Sequence, residues 1–354
     1  MRSFVRESLV MAGVAGLAAC ADTAPTSVDP GLAFQREVSA GMFSVGDLMR
    51  AAPGEPCRTG HYRDFDFWLG DWDVLTPPGT GPVAGTNRIR SEMDGCVIAE
   101  YWAGTGSLHG WSLNAYDPRT GQWNQHWVAE NGLNLRMSGG LVGNAMVMQG
   151  PRILPSGQVL IDRTTWTPAS GGGLTQVWDI STDNGATFPI LNFNGGYVAN
   201  PNVVPSVSPG SAACLAPAYG SADFMAGDWR VSARHGPDIG TSTISSELSH
   251  CVLVELFENG KGYGWKAFLS YGRVVQTWFN TIVDTEGKRL ALSGTGQPGM
   301  VVVSGLAAAP NGSDVNVRIT YTQVSADEFT AAWATSQDGQ NWSTERELVY
   351  RRMN

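Results

Sequence analysis

Apolar and polar positions alternate with a period of two through most of this chain, in short runs broken at regular intervals. Trp111-Ser112-Leu113-Asn114-Ala115-Tyr116 alternates and then stops at Asp117-Pro118-Arg119-Thr120-Gly121, a stretch rich in the residues that set turn dihedrals. Gln122 to Ala129 resumes as an aromatic-rich strand carrying Trp123 and Trp127, and Asn131-Gly132 and Gly139-Gly140 add two more breaks downstream. Val315 to Gln323 and Glu328 to Thr335 behave the same way near the other end. Short strands with turns between them at intervals of about ten residues predict an antiparallel sandwich or barrel. Consecutive hairpins favour a closed up-and-down barrel.

The pattern occurs twice. Cys57 lies fifteen residues before Trp72, and Cys214 lies fifteen before Trp229. Phe67-Trp68-Leu69-Gly70-Asp71-Trp72 answers Phe224-Met225-Ala226-Gly227-Asp228-Trp229, and Cys96 to Tyr101 answers Cys251 to Leu256, which sets Glu100 opposite Glu255. Arg163 to Thr167 answers Arg318 to Thr322, and Trp178 answers Trp333. Self-similarity at an offset of 155 to 157 residues predicts two copies of one domain. The expected fold is therefore all-β, two tandem antiparallel up-and-down β-barrels, over residues 57–198 and 214–354. A Pro/Ser-rich linker, 199–213, joins them.

The first nineteen residues are read as an address rather than as structure. Arg2 and Arg6 precede an apolar run from Leu9 to Ala19, and Leu17-Ala18-Ala19-Cys20 looks like a bacterial lipoprotein signal box, which makes Cys20 the lipidated residue. Residues 20–56 are then a tether with a short helix near Gln35 to Arg50. The expected address is the cell envelope, on the periplasmic face of the outer membrane. Setting Cys20 aside leaves four of the five cysteines. In an oxidising compartment four cysteines allow three connectivities, and the duplication favours Cys57–Cys96 and Cys214–Cys251. The formal net charge of −9 argues against nucleic acid as a partner. The membrane is expected as a partner only through Cys20, and no protein partner is specified.

Phe65-Asp66-Phe67-Trp68-Leu69-Gly70-Asp71-Trp72-Asp73-Val74 resembles the opening of an uncharacterised bacterial family of lipocalin-like envelope proteins. So does Ser112-Leu113-Asn114-Ala115-Tyr116-Asp117-Pro118 with Thr120-Gly121-Gln122-Trp123. The likeness covers residues 64 to 195 closely and the second copy more loosely. It implies a calycin-type barrel in each copy. Gly70-Asp71-Trp72 and Gly227-Asp228-Trp229 also fit the lipocalin Gly-x-Trp signature, in which the Trp closes one barrel end against a basic residue of the last strand. Arg351 or Arg352 suits that role in copy two, whereas copy one ends at Tyr197-Val198-Ala199-Asn200 without such a residue.

A barrel of this size either encloses one small ligand or is filled by its own side chains. Glu100, Trp102, Trp111, Trp123, His126, Trp127 and Trp166 form the candidate ligand set, all in copy one. Each Trp either lines a cavity or packs the core. Glu100 either points inward, with a raised pKa, or faces outward on an alternating strand, or pairs with Arg163. His126 is tested as a haem ligand because nitrobindin-type barrels use an axial histidine. It falls outside the last third of its repeat, where that ligand is expected, and no cofactor or metal is assigned. Ser181-Thr182-Asp183-Asn184-Gly185 reads as a structural hairpin turn. No nucleophile elbow, metal helix, phosphate loop or dinucleotide fingerprint occurs. The leading expectation is a lipid-anchored envelope protein that holds a small hydrophobic or amphipathic molecule inside a barrel. A scaffold with filled barrels and a calycin-type enzyme stand as alternatives.

Overall fold

A computed structural model of the chain describes residues 38–40, 56–106, 108–205, 210–308 and 313–353. The signal segment 1–19, Cys20 and most of the 20–56 tether with its expected helix lie outside these residues. Val38–Ala40 is a short strand, β1, running parallel to a strand of the second barrel.

The first barrel begins with β2 (Gly70–Leu75), β3 (Val83–Glu92), β4 (Val97–Gly104), β5 (His109–Asp117) and β6 (Gln122–Ala129). It continues with β7 (Asn134–Val142), β8 (Ala145–Ile153), β9 (Val159–Pro168), β10 (Leu174–Ser181) and β11 (Ile190–Ala199). Each strand pairs antiparallel with the next, and β11 closes on β2 with Tyr197 opposite Val74. The second barrel repeats the plan with β12 (Gly227–Ala233), β13 (Asp238–Glu247), β14 (Val252–Glu258), β15 (Gly264–Gly272) and β16 (Thr277–Asp284). Its second half is β17 (Arg289–Gln297), β18 (Met300–Ala308), β19 (Asp314–Gln323), β20 (Glu328–Ser336) and β21 (Ser343–Arg352). It closes with Tyr350 of β21 opposite Val231 of β12. Both barrels are ten-stranded meanders, and closure removes the exposed sheet edges that would otherwise invite aggregation.

The Gly-Asp-Trp segment seals one end of each barrel in the same way. A 3₁₀ turn enters the barrel end, Asp66–Trp68 in copy one and Tyr219–Met225 in copy two. The strand Trp then donates its indole N–H back to that turn: Trp72 Nε1 to Trp68 O at 2.9 Å, and Trp229 Nε1 to Met225 O at 2.8 Å. Gly70 and Gly227 open these strands at φ +146° and +142°, a region that side chains with a Cβ rarely enter. In copy two the Arg352 guanidinium lies 4.2 Å over the Trp229 ring and Nη1 donates to Ala226 O. Copy one lacks that cation, and Tyr197 meets Trp72 edge-on at 6.0 Å instead.

The two barrels pack through the same face, each using its third to fifth strands. Val97, Ala99, Leu113, Ala115 and Val128 of the first form one buried cluster with Val252, Val254, Phe268 and Val283 of the second. The disulfides Cys57–Cys96 and Cys214–Cys251 lie in that cluster. Each one meets a turn of the opposite barrel. A Cβ on Gly287 would fall 2.8 Å from Cys57 Sγ and 2.6 Å from Tyr62 Oη, and one on Gly132 would fall 3.7 Å from Cys214 Sγ and 3.2 Å from Tyr219 Oη. The pairs Tyr62–Tyr116 and Tyr219–Tyr271 repeat at 5.2 Å with near-perpendicular rings. Reciprocal contacts between equivalent positions are the mark of an isologous interface. Here that symmetry operates inside one chain.

Candidate functional site

Strand parity decides which side chains face the inside of the first barrel. On β4, Ile98, Glu100 and Trp102 point inward. On β5 the inward set is Gly110, Ser112 and Asn114, and on β6 it is Trp123, Gln125 and Trp127. The apolar partners Trp111, Leu113, Ala115 and Val128 point outward, onto or beside the second barrel. This inverts the usual rule of apolar residues inside and polar residues outside, because the second barrel buries the outer face as well.

The interior holds a cavity of about 240 Å³, small for a ligand pocket. Its aromatic wall is Trp102, Trp127, Trp178 and Phe193, and Leu108, Leu135 and Met137 add aliphatic surface. Glu100, Gln125, Thr164, Gln176, Asn192 and Tyr197 supply the polar groups. The cavity reaches solvent near Leu108 and Asn192, both exposed. Its opposite end is floored by Phe65, Trp68, Trp123 and Trp166: Phe65 stacks on Trp68 at 4.7 Å, and Trp166 meets both at 5.1 and 5.2 Å.

At the inner end of the cavity Glu100 is 4% exposed. Asn87 Nδ2 donates to Oε1 at 2.8 Å and Ser112 Oγ donates to Oε2 at 2.8 Å. The same Asn87 amide donates to Tyr197 Oη at 3.1 Å, and Tyr197 donates in turn to Gln176 Oε1. On the other side Asn114 donates to Ser112 Oγ at 2.8 Å, and Gln125 donates to Asn114 Oδ1 at 2.9 Å. Burial pushes the Glu100 carboxyl up to about 7, against the pull of its two donors. Burial raises the Tyr197 phenol as well, and the nearby Glu100 charge adds to it. Among the described residues Glu100 forms no salt bridge. Arg163 pairs instead with Asp179, at 2.6 Å. The buried Trp127 indole N–H and Asn87 Oδ1 have no hydrogen-bond partner among the described residues.

Of the seven residues proposed from sequence, Glu100, Trp102 and Trp127 line this cavity, while Trp123 and Trp166 form its floor. Trp111 faces outward, edge-on to Tyr101 at 5.0 Å. His126 sits between the barrels, 1% exposed, with Nδ1 3.0 Å from Thr281 Oγ1 and Nε2 3.0 Å from Ser270 Oγ. Thr281 is the counterpart of His126 in the repeat, so the two equivalent positions meet at the pseudo-twofold centre. Burial, then the charges of Arg136 and Arg289, hold the imidazole well below its usual pKa. Neutral imidazole and two rotatable hydroxyls satisfy one another without a charge. His126→Ala is therefore expected to cost about 1–3 kcal/mol of stability by chemical denaturation.

Tyr197, Asn87, Ser112, Gln125, Gln176, Trp178 and Phe193 were not singled out from sequence. Counting outward from Glu100 in steps of two, and across each hairpin, would have found most of them.

Comparing the copies residue by residue shows where the two interiors differ, with the Trp127 ring lying over Gly110 in the first barrel. Gly110 stands where the second barrel has Trp265, which is 2% exposed and stacks on Phe257 at 3.8 Å. Gly195, opposite Gln176, stands where the second barrel has Leu348, opposite Ala331, fully buried. Thr164 replaces Ile319. The second interior packs as one cluster that includes Trp229, Trp265, Trp278, Trp333, Phe329 and Tyr350. Its own carboxylate, Glu255, accepts from Ser242 Oγ at 2.9 Å and from Tyr350 Oη at 3.1 Å.

The fold and site define a tandem of closed ten-stranded β-barrels, one with an aromatic-walled cavity and one with a filled interior. No protein-family model matches the chain, and no curated protein matches it. Among solved structures it is similar to a protein with unknown function from the DUF3598 family, from Nostoc punctiforme. The identity is 9% and the TM-score 0.23, covering 83% of this chain and 100% of that one. The description of the fold rests on the strand pairing of this chain alone.

Proposed function

We propose that the first barrel binds one small, largely apolar molecule and that the second is its rigid structural partner. The observation that carries this reading is the contrast between the interiors of two duplicated barrels: an aromatic-walled cavity of about 240 Å³ in the first, against a second interior packed as one cluster that includes Trp265 and Leu348. Close packing is the rule in protein interiors, so a cavity held open in one copy alone points to an occupant. Apolar burial supplies affinity, and the polar groups about Glu100 orient what enters.

The same proposal places the protein in the cell envelope, anchored through Cys20. Its support is the signal-like segment ending at Cys20 together with two disulfides, which persist in oxidising compartments. The filled second barrel favours a scaffolding role for that half.

Transplanting the filler tests the reading. Gly110→Trp combined with Trp127→Ile gives the first barrel the pair that fills the second, Trp265 and Ile282. Indole, a neutral probe of suitable size, is expected to bind the natural protein and not this variant in calorimetric titration, while circular dichroism stays unchanged and Tm rises. Equal indole binding by both proteins would overturn the assignment of the cavity.

A further inference from the structure

We propose that the molecule held in the first barrel is a small organic cation, an ammonium group on an aromatic or compact apolar body. This deepens the reading of the first cavity as a binding site and rests on it.

The second barrel shows how this architecture handles a positive charge. In each copy one position of the last strand faces the same Trp of the strand before it. Arg346 is opposite Trp333 in copy two, and Phe193 is opposite Trp178 in copy one. Arg346 is 3% exposed, and its guanidinium lies 3.8 Å over the Trp333 ring. Its charge acts on Tyr321 and Tyr350, and Tyr350 donates to the internal carboxylate Glu255. Copy two thus keeps a carboxylate, a Trp face and a cation of its own inside the barrel.

Copy one keeps the carboxylate and the Trp face and replaces the cation with Phe193. Among the described residues Glu100 is the only carboxylate in the cavity wall, and no Lys, Arg or His lines it. Its two donors, Asn87 and Ser112, occupy one lone pair on each oxygen and leave acceptor capacity on both. The neighbouring acid, Asp162, is already matched: Arg152 grips it bidentately at 2.7 and 2.9 Å, and the Trp178 indole donates to it at 2.7 Å. That bond fixes the Trp178 plane against the cavity. Trp102, Trp127, Trp178 and Phe193 then present π faces and edges around one uncompensated carboxylate. Rings around an anion form the setting in which a desolvated ammonium is favoured, by cation–π attraction and by charge.

Three probes of similar size and different charge decide the matter in calorimetric titrations at about pH 8. They are 2-phenylethylammonium, 2-phenylethanol and phenylacetate. The ammonium is expected to bind at least about tenfold more tightly than the alcohol, with phenylacetate not binding. Glu100→Gln should remove the preference while keeping the alcohol. Phe193→Arg, which restores the copy-two arrangement, should abolish ammonium binding by filling its place. Alcohol binding as tight as ammonium, in a protein that Gly110→Trp/Trp127→Ile still blocks, would overturn the cation assignment and leave the cavity reading intact. Failure of all three probes and of indole would overturn both. Binding of phenylacetate in preference to the ammonium would overturn the cation assignment outright.

Discussion

Trp265→Ala is expected to lower the unfolding free energy by about 3–5 kcal/mol, the usual cost of removing a buried Trp. The side chain sits in the centre of the filled barrel, stacked on Phe257 with an interplanar angle of 17°, and ten closed strands leave the surrounding backbone little freedom to collapse. The variant should therefore hold a cavity in the second barrel where the indole was. Indole added to it should recover part of the lost stability, as apolar cavities of this kind accept apolar guests. The measurement is best made with the first barrel filled by Gly110→Trp/Trp127→Ile, so that any rise in Tm with indole reports the second barrel alone. A loss below about 1 kcal/mol would mean that the site relaxes around the truncation. The reading of Trp265 as a side chain that fills the second barrel would then fail.

How far the chain could be read in advance depends on what covered each strand. The period-two runs located the hairpins, and the duplicated Cys-to-Trp spacing gave both the two barrels and both disulfides, because these are local or self-referential signals. Facing was harder. Trp111, Leu113 and Ala115 alternate with Ser112 and Asn114, and a reader expecting apolar residues inside puts the polar ones in solvent. Ser112 and Asn114 in fact carry the internal hydrogen-bond chain to Glu100, while Leu113 and Ala115 meet the second barrel. A strand buried on both faces has no sequence signature that says which face is which. The same inter-barrel contact removed His126 from any interior role. It also explains why each disulfide, written as a private staple of its own repeat, touches a turn of the other. The decisive contrasts, Gly110 with Trp265 and Phe193 with Arg346, needed the strand register before they could be aligned.

Glu100 should make the stability of the protein depend on pH in a direction opposite to most carboxylates. Its folded-state pKa, about 7, lies above the ordinary glutamate value of 4.5, and burial is the cause. Between those values the native state holds a proton that the unfolded chain has released, so stability falls as pH rises through the window and is constant above it. From pH about 5 to about 8 the loss attributable to this one group is about 2–3 kcal/mol. Glu255, raised by burial, and Asp284, raised to about 6, act in the same direction, so the natural protein alone cannot isolate the effect. The comparison with Glu100→Gln does. The amide keeps an oxygen for the Asn87 donor and can donate to Ser112, and it cannot ionise. The stability difference between the two proteins should therefore shift by about 2–3 kcal/mol in favour of the amide between the two pH values, measured by chemical denaturation. A pH-independent difference would show that the carboxyl titrates at its ordinary value, with water reaching it in the folded state. A bound ammonium adds a second handle, because it stabilises the charged carboxylate and should draw the titration downward. The pH at which stability stops falling, set by the folded-state pKa, should then move to lower values and the total loss should shrink as 2-phenylethylammonium is added, with neither changing when 2-phenylethanol replaces it.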